Sequence, residues 1–156
     1  MQIFCIVSVV VPIAIAVGLP RFVEKKRQPK VEALPLRVIL YGACVLFFIS
    51  WYLPSPLIHG EDTSFVTHFI GGGVFTGLLW LYLKQTLGWS SSWYIEVFSL
   101  FALVSALGAI NELFELFLVE TNISSILLTD TSWDILANTL GAVLIYGVYT
   151  LYDSWH

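Results

Sequence analysis

Charged residues are scarce in this sequence: they make up 12% of its 156 residues, whereas soluble domains carry about a quarter. A water-facing surface needs more charge than this, so the composition excludes an ordinary soluble domain. Hydrophobic residues reach 58%, and the mean hydropathy is +0.85. Together these values indicate an integral membrane protein with a single all-α domain, whose main partner is the lipid bilayer.

Cysteine is scarce too, and basic residues are confined to one part of the chain. The two cysteines, Cys5 and Cys44, lack the spacing of a disulfide framework or a metal site, and we expect both to be small buried apolar side chains. No nucleic-acid motif is present, so no nucleic-acid partner is expected. Six of the seven Lys and Arg residues lie between Arg21 and Arg37, which predicts a cytoplasmic position for that segment.

Apolar runs separated by polar segments predict a polytopic bundle of about five transmembrane helices. We expect these helices at about residues 3–19, 36–53, 65–83, 93–119 and 132–152, with a basic cytoplasmic loop at 20–35. The charge distribution then predicts a multi-pass protein of the cell (inner) membrane, with the N-terminus outside and the C-terminus cytoplasmic. Lys84 is expected in a second inner loop. Cleavage of the first helix as a signal peptide stays open as an alternative.

Glycine and polar residues inside the apolar runs are the next signal. Gly73 and Gly77 form a GxxxG pair, which allows close contact between helices. Carboxylates inside a membrane span cost about 2.5–3.5 kcal/mol on insertion scales, so they usually serve a function. Helical depth and helical face predict that polar residues from three helices meet in the outer leaflet. The predicted ligand- or cation-binding residues are His68, Asn111, Glu112, Glu115, Asp130, Asp134 and Asn138.

The acids among these residues would repel one another unless a bound cation, protonation or water relieves the repulsion. A divalent cation is therefore the cofactor that the pattern suggests, with Glu112, Glu115, Asp134 and His68 as candidate ligands. A structural polar network is the alternative. In it, His68 would bond a carbonyl, and Asn138 with Gly141 would serve helix packing.

The pattern of His68-Phe69, then Glu112 and Glu115, then Asp134-Ile-Leu-Ala-Asn138-Thr-Leu-Gly141 resembles the VanZ-like family of small bacterial membrane proteins. The element from Asp130 to Asp134 is also similar to one in the YjdF-like membrane proteins. Two features depart from the VanZ-like pattern: no Arg shortly precedes Asp134, and Glu115 stands where the family often has Gln. The resemblance implies a setting in the cell envelope and a connection with glycopeptides.

Several functions remain open at this point. The first is an envelope protein whose outer-leaflet cavity binds an amphiphilic ligand, either a lipid or a glycopeptide, or a cation. The second is a small metal-assisted membrane hydrolase, with His68 or Glu112 as the base. A transporter of protons or cations is the third, although the inner halves of the helices offer few polar residues beyond Glu96 and Ser99. The fourth is an accessory structural subunit that binds a membrane-protein partner.

Overall fold

A computed structural model describes residues 2–26, 33–58, 61–123 and 131–155. Five helices make up the fold: α1 (Gln2–Val23), α2 (Ala33–Ser50), α3 (Phe65–Leu87), α4 (Trp93–Glu120) and α5 (Thr131–Trp155). Four of them are long and apolar enough to cross a membrane. The fifth, α2, has 18 residues, which span about 27 Å at the usual rise. The predicted all-helical membrane fold is confirmed.

The boundaries around the basic segment differ from the prediction, because the predicted loop 20–35 is partly helical. α1 continues through Pro20 to Val23, and a 3₁₀ turn covers Glu24–Lys26. α2 begins at Ala33, since Pro35 falls in its first turn, where a missing N–H costs nothing. α2 ends at Ser50 rather than near residue 53, because a residue before proline, here Leu53, disfavours helix. The other helices extend slightly beyond their predicted ends.

Helix α3 is the centre of the bundle: half of its membrane-spanning stretch is buried inside the protein, against 11–22% for α1, α4 and α5. One apolar cluster joins it to α2 and includes Leu40, Phe75 and the buried Cys44. A second cluster joins it to α4 and α5 through Trp80, Val104 and Ala142. Tyr82 is fully buried, and its hydroxyl lies 3.5 Å from a Glu24 carboxylate oxygen. Helix α3 therefore fixes the relative positions of its neighbours.

The first part of α3 is a π-helix, His68–Val74, which contains three consecutive glycines. Each glycine admits a different neighbour. Gly71 leaves room for the Ser50 side chain of α2, Gly72 for the Asn138 amide, and Gly73 for the backbone of α5. A Cβ on Gly73 would lie 2.8 Å from the Gly141 Cα, and Gly77 packs against Ile145. The GxxxG pair thus acts as a packing device, as predicted.

We expect Gly73→Ala to destabilise the protein by about 1–3 kcal/mol, because the new methyl group would meet α5 backbone atoms that cannot rotate away. Gly147→Ala is the matched control, since a Cβ there meets nothing within 4 Å. The control should be neutral or stabilising by up to ~1 kcal/mol. Unfolding in detergent, followed by circular dichroism, measures both. Equal stability of the two variants would contradict the close contact between α3 and α5.

Candidate functional site

Three carboxylates from two helices meet at one end of the bundle. Glu112 and Glu115 lie one turn apart on α4, and Asp134 lies in the first turn of α5. One oxygen from each carboxylate lies within 4.8 Å of the others. Asp134 is buried, with 1% of its surface exposed, whereas Glu112 and Glu115 are half-buried. The carboxylate cluster, as we call these three residues, is therefore accessible from its α4 side.

Neighbouring side chains hold each carboxylate in place. His68 Nε2 lies 3.3 Å from Asp134 Oδ1, and the Ser64 hydroxyl donates to the same oxygen at 3.2 Å. Thr131 donates its hydroxyl to Glu112 Oε2 at 2.8 Å. Asn111 donates its amide to Glu115 Oε1 at 2.8 Å, as residues four apart on a helix can. The predicted convergence of His68, Glu112, Glu115 and Asp134 is thus found; what the residues bind stays a prediction.

Ser64 enters this arrangement through an unusual backbone conformation. Its φ of 48° lies in the left-handed region, which few residues other than glycine adopt. That conformation turns the chain from Thr63 into α3 and brings the Ser64 hydroxyl to Asp134. Sequence reasoning did not select Ser64 or Thr131. Their positions directly before α3 and at the start of α5 were the available signal, since Ser and Thr often lie at helix N-termini.

The remaining predicted residues have different positions. Asn138 lies one turn below Asp134, with its Oδ1 against Gly72 and its Nδ2 3.5 Å from the place of a Gly108 Cβ. It is buried, and its Oδ1 has no hydrogen-bond partner among the described residues. Asn138 therefore lies where α3, α4 and α5 meet, beneath the carboxylate cluster, and is not part of that cluster. Asp130 lies outside the described residues.

The spacing of the carboxylates suits a hard divalent cation. Ca²⁺ binds oxygens at 2.3–2.6 Å, so two ligands on opposite sides of the ion lie about 5 Å apart. Oxygen-rich sites also suit Mg²⁺ and Mn²⁺, whereas Zn²⁺ favours nitrogen and sulfur. His68 is not a member of the clustered group, although its Nε2 lies 3.3 Å from Asp134 Oδ1. In a cation site it would orient Asp134, as outer partners of metal ligands do.

Helix termini favour negative charge at the carboxylate cluster. The N-termini of α3 and α5 both lie at this end, and each carries a partial positive charge. Asp134 lies in the first turn of α5, where that charge is felt most. The described Lys and Arg residues lie towards the other end, near the C-termini of α1 and α3 and the start of α2. The described basic residues are therefore separated from the carboxylate cluster along the bundle axis.

A second polar group at the basic end was not predicted as a site. Lys84 Nζ pairs with Glu96 Oε1 at 2.6 Å and donates to the Tyr149 hydroxyl at 2.7 Å. Only 9% of the Lys84 surface is exposed, so Lys84 is not the free loop charge that the sequence suggested. The Trp80 indole donates to the Ser99 hydroxyl at 2.9 Å beside this group. The sequence feature that could have identified this polar group is Glu96, which lies one turn into an apolar helix.

We expect Lys84→Met to destabilise the protein by about 3 kcal/mol, because it leaves the Glu96 carboxylate buried without its cation. The double variant Lys84→Met/Glu96→Gln should recover most of this loss, since no unpaired charge remains. Lys26→Met, at an exposed position of the same end, is the control and should change stability by less than ~0.5 kcal/mol. Unfolding titrations in mixed micelles measure all three. A double variant as unstable as Lys84→Met alone would show that the pair is not coupled.

No protein-family model, curated protein or solved structure matches this chain.

Proposed function

We propose that the protein is a VanZ-like integral membrane protein of the bacterial cell envelope, and that its carboxylate cluster binds a divalent cation in the outer leaflet. The cation would in turn hold an anionic group of an amphiphilic envelope ligand. The observation that carries this proposal is the approach of Glu112, Glu115 and Asp134 to within 4.8 Å of one another. Like charges this close favour a bound cation.

The partial exposure of the site supports a ligand in addition to the cation. Glu112 and Glu115 are half-buried, so the α4 side of the cluster is open to lipid or solvent. Three monodentate carboxylates leave positions vacant on an ion that takes six to eight oxygen ligands. Phosphate and carboxylate oxygens of a lipid or glycopeptide are suitable donors for these positions. A bridging cation would then recognise the anionic group without help from an Arg side chain.

Charge segregation supports the placement of this site on the outer side. Arg21, Lys25, Lys26 and Arg37 lie at the end opposite to the carboxylate cluster, and basic residues favour the cytoplasmic face. At this end Arg37 pairs with Glu24 and Lys84 with Glu96, and acids have little effect on the positive-inside bias. The basic segment between α1 and α2 therefore determines the orientation: N-terminus outside, C-terminus cytoplasmic.

The contact between His68 and Asp134 favours a second candidate function, a metal-assisted hydrolase. Asp134 Oδ1 lies 3.3 Å from the His68 imidazole, and a carboxylate so placed can orient a histidine for proton transfer. In that function the cation would activate a water molecule and His68 would accept its proton. Turnover of an envelope ester or amide, lost in His68→Gln, would distinguish the hydrolase from a binding protein.

Cation binding is tested by thermal melts of the detergent-purified full-length protein, first in chelator and then with added Ca²⁺ or Mn²⁺. A cation at 100 times its dissociation constant should stabilise the folded state by about 2.7 kcal/mol. Glu112→Gln and Asp134→Asn should lose this effect, because each removes a charged ligand. Glu120→Gln, at the exposed end of α4, is the control and should keep it. Equal stabilisation of all four proteins would show that the cation binds elsewhere.

Orientation is tested with fusions at the C-terminus. Green fluorescent protein should fluoresce there and alkaline phosphatase should be inactive, because the basic segment keeps this end in the cytoplasm. Replacing Arg21, Lys25 and Lys26 with Gln should weaken the bias and give a mixed population. Phosphatase activity in the unmodified chain would reverse the assignment and place the carboxylate cluster on the inner side.

A further inference from the structure

The end of the bundle opposite to the carboxylate cluster contains an open cleft of about 570 Å³. The connection between α3 and α4, the start of α4 and the last turns of α5 form its walls. We call it the interfacial cleft and define it by Lys84, Trp89, Trp93, Glu96, Tyr149 and Asp153. Its volume falls within the range of about 300–1,000 Å³ that is usual for small-molecule sites. None of these residues belongs to the site proposed above.

The charges that line the cleft favour a cationic ligand. They are one cation, Lys84, and two acids, Glu96 and Asp153, so the net charge is −1. Lys84 and Glu96 neutralise each other at 2.6 Å, which leaves Asp153 as the exposed charge. The last turn of α5 carries no basic residue, so the partial negative charge of its C-terminus adds to that of Asp153.

Aromatic rings also line the interfacial cleft. Trp89 and Trp93 line the cleft and are exposed, Trp93 to 72%. On the inner wall, the Lys84 ammonium donates to the Tyr149 hydroxyl at 2.7 Å and lies 4.5 Å from the centre of the Tyr149 ring. Exposed indole rings and a carboxylate that line one cleft are groups that can recognise an organic ammonium ion.

We propose that the interfacial cleft binds an organic ammonium group, either primary or quaternary. The indoles of Trp89 and Trp93 would cover its apolar substituents, and Asp153 would balance its charge. The Lys84–Glu96 pair and Tyr149 form the rigid floor that holds these groups apart. Both the headgroup of a zwitterionic phospholipid and a soluble amine carry such a group. The cleft lies at the end of the bundle, where either can reach it.

Binding is tested with choline chloride as the probe and the detergent-purified full-length protein. Saturation-transfer NMR on the choline methyl protons gives an affinity, with sodium chloride added to equal ionic strength in each sample. Asp153→Asn should weaken binding about three- to five-fold, the scale of one exposed ion pair. Trp93→Leu should weaken it at least as much. Both positions are exposed, so the melting temperature should not change.

Two controls separate this cleft from the carboxylate cluster. Glu120→Gln removes a carboxylate from the other end of α4, and Glu112→Gln removes a cluster ligand; neither should alter choline binding. Native mass spectrometry then identifies the source of the ammonium group. It compares phosphatidylethanolamine and phosphatidylcholine with phosphatidylglycerol of the same acyl chains.

Preferential retention of the two ammonium-bearing lipids, lost in Asp153→Asn, supports the proposal with a lipid headgroup as the source. Equal retention of all three lipids, with choline binding that depends on Asp153, supports it with a soluble amine as the source. The proposal is overturned if neither choline binding nor lipid preference depends on Asp153 and Trp93.

Discussion

The backbone contact between Gly73 of α3 and Gly141 of α5 is the constraint on which the rest of the arrangement depends. At this point the two helices approach so closely that neither glycine has room for a Cβ. The approach places Asp134, two turns above Gly141, beside His68 at the start of α3. It also places Tyr149, two turns below Gly141, beside Lys84 near the end of α3. This one contact between α3 and α5 thus positions the polar groups at both ends of the bundle.

The two polar ends differ in how they treat charge. At the end with the carboxylate cluster, three acids gather around hydroxyls, an amide and one imidazole, which leaves negative charge that an external cation can balance. At the basic end, Lys84 and Glu96 balance each other within the protein, and an aromatic cluster of Trp80, Tyr146 and Tyr149 surrounds them. The carboxylate cluster is therefore suited to binding a cation, whereas the buried Lys84–Glu96 pair gives rigidity to the base of the interfacial cleft.

Much of the architecture could be predicted from the sequence, because hydropathy and charge report directly on the membrane. The convergence of Glu112, Glu115 and Asp134 followed from helical depth and face, which depend only on regular helix geometry. The π-helix could not be predicted from regular helix geometry: three glycines lower helix propensity, but the sequence does not show that their backbone meets α2 and α5 closely within an i→i+5 turn. The sequence analysis placed Lys84 in a loop because no sequence feature marks a residue near the end of an apolar run as buried. The burial of Lys84 is explained by its pairing with Glu96, which only the structure shows. Ser64 and Thr131 contact the site through local backbone geometry that periodicity does not encode.

The Lys84–Glu96 pair also affects how the chain enters the bilayer. A lysine and a glutamate are each costly on an isolated helix in lipid, and the cost falls when they neutralise each other. They lie on successive helices joined by five residues, Gly88 to Ser92. Helices α3 and α4 can therefore form the pair before α5 has left the ribosome. We expect the two helices to partition into the membrane together as a hairpin. Helix α5 would then pack against them through the contact between Gly73 and Gly141.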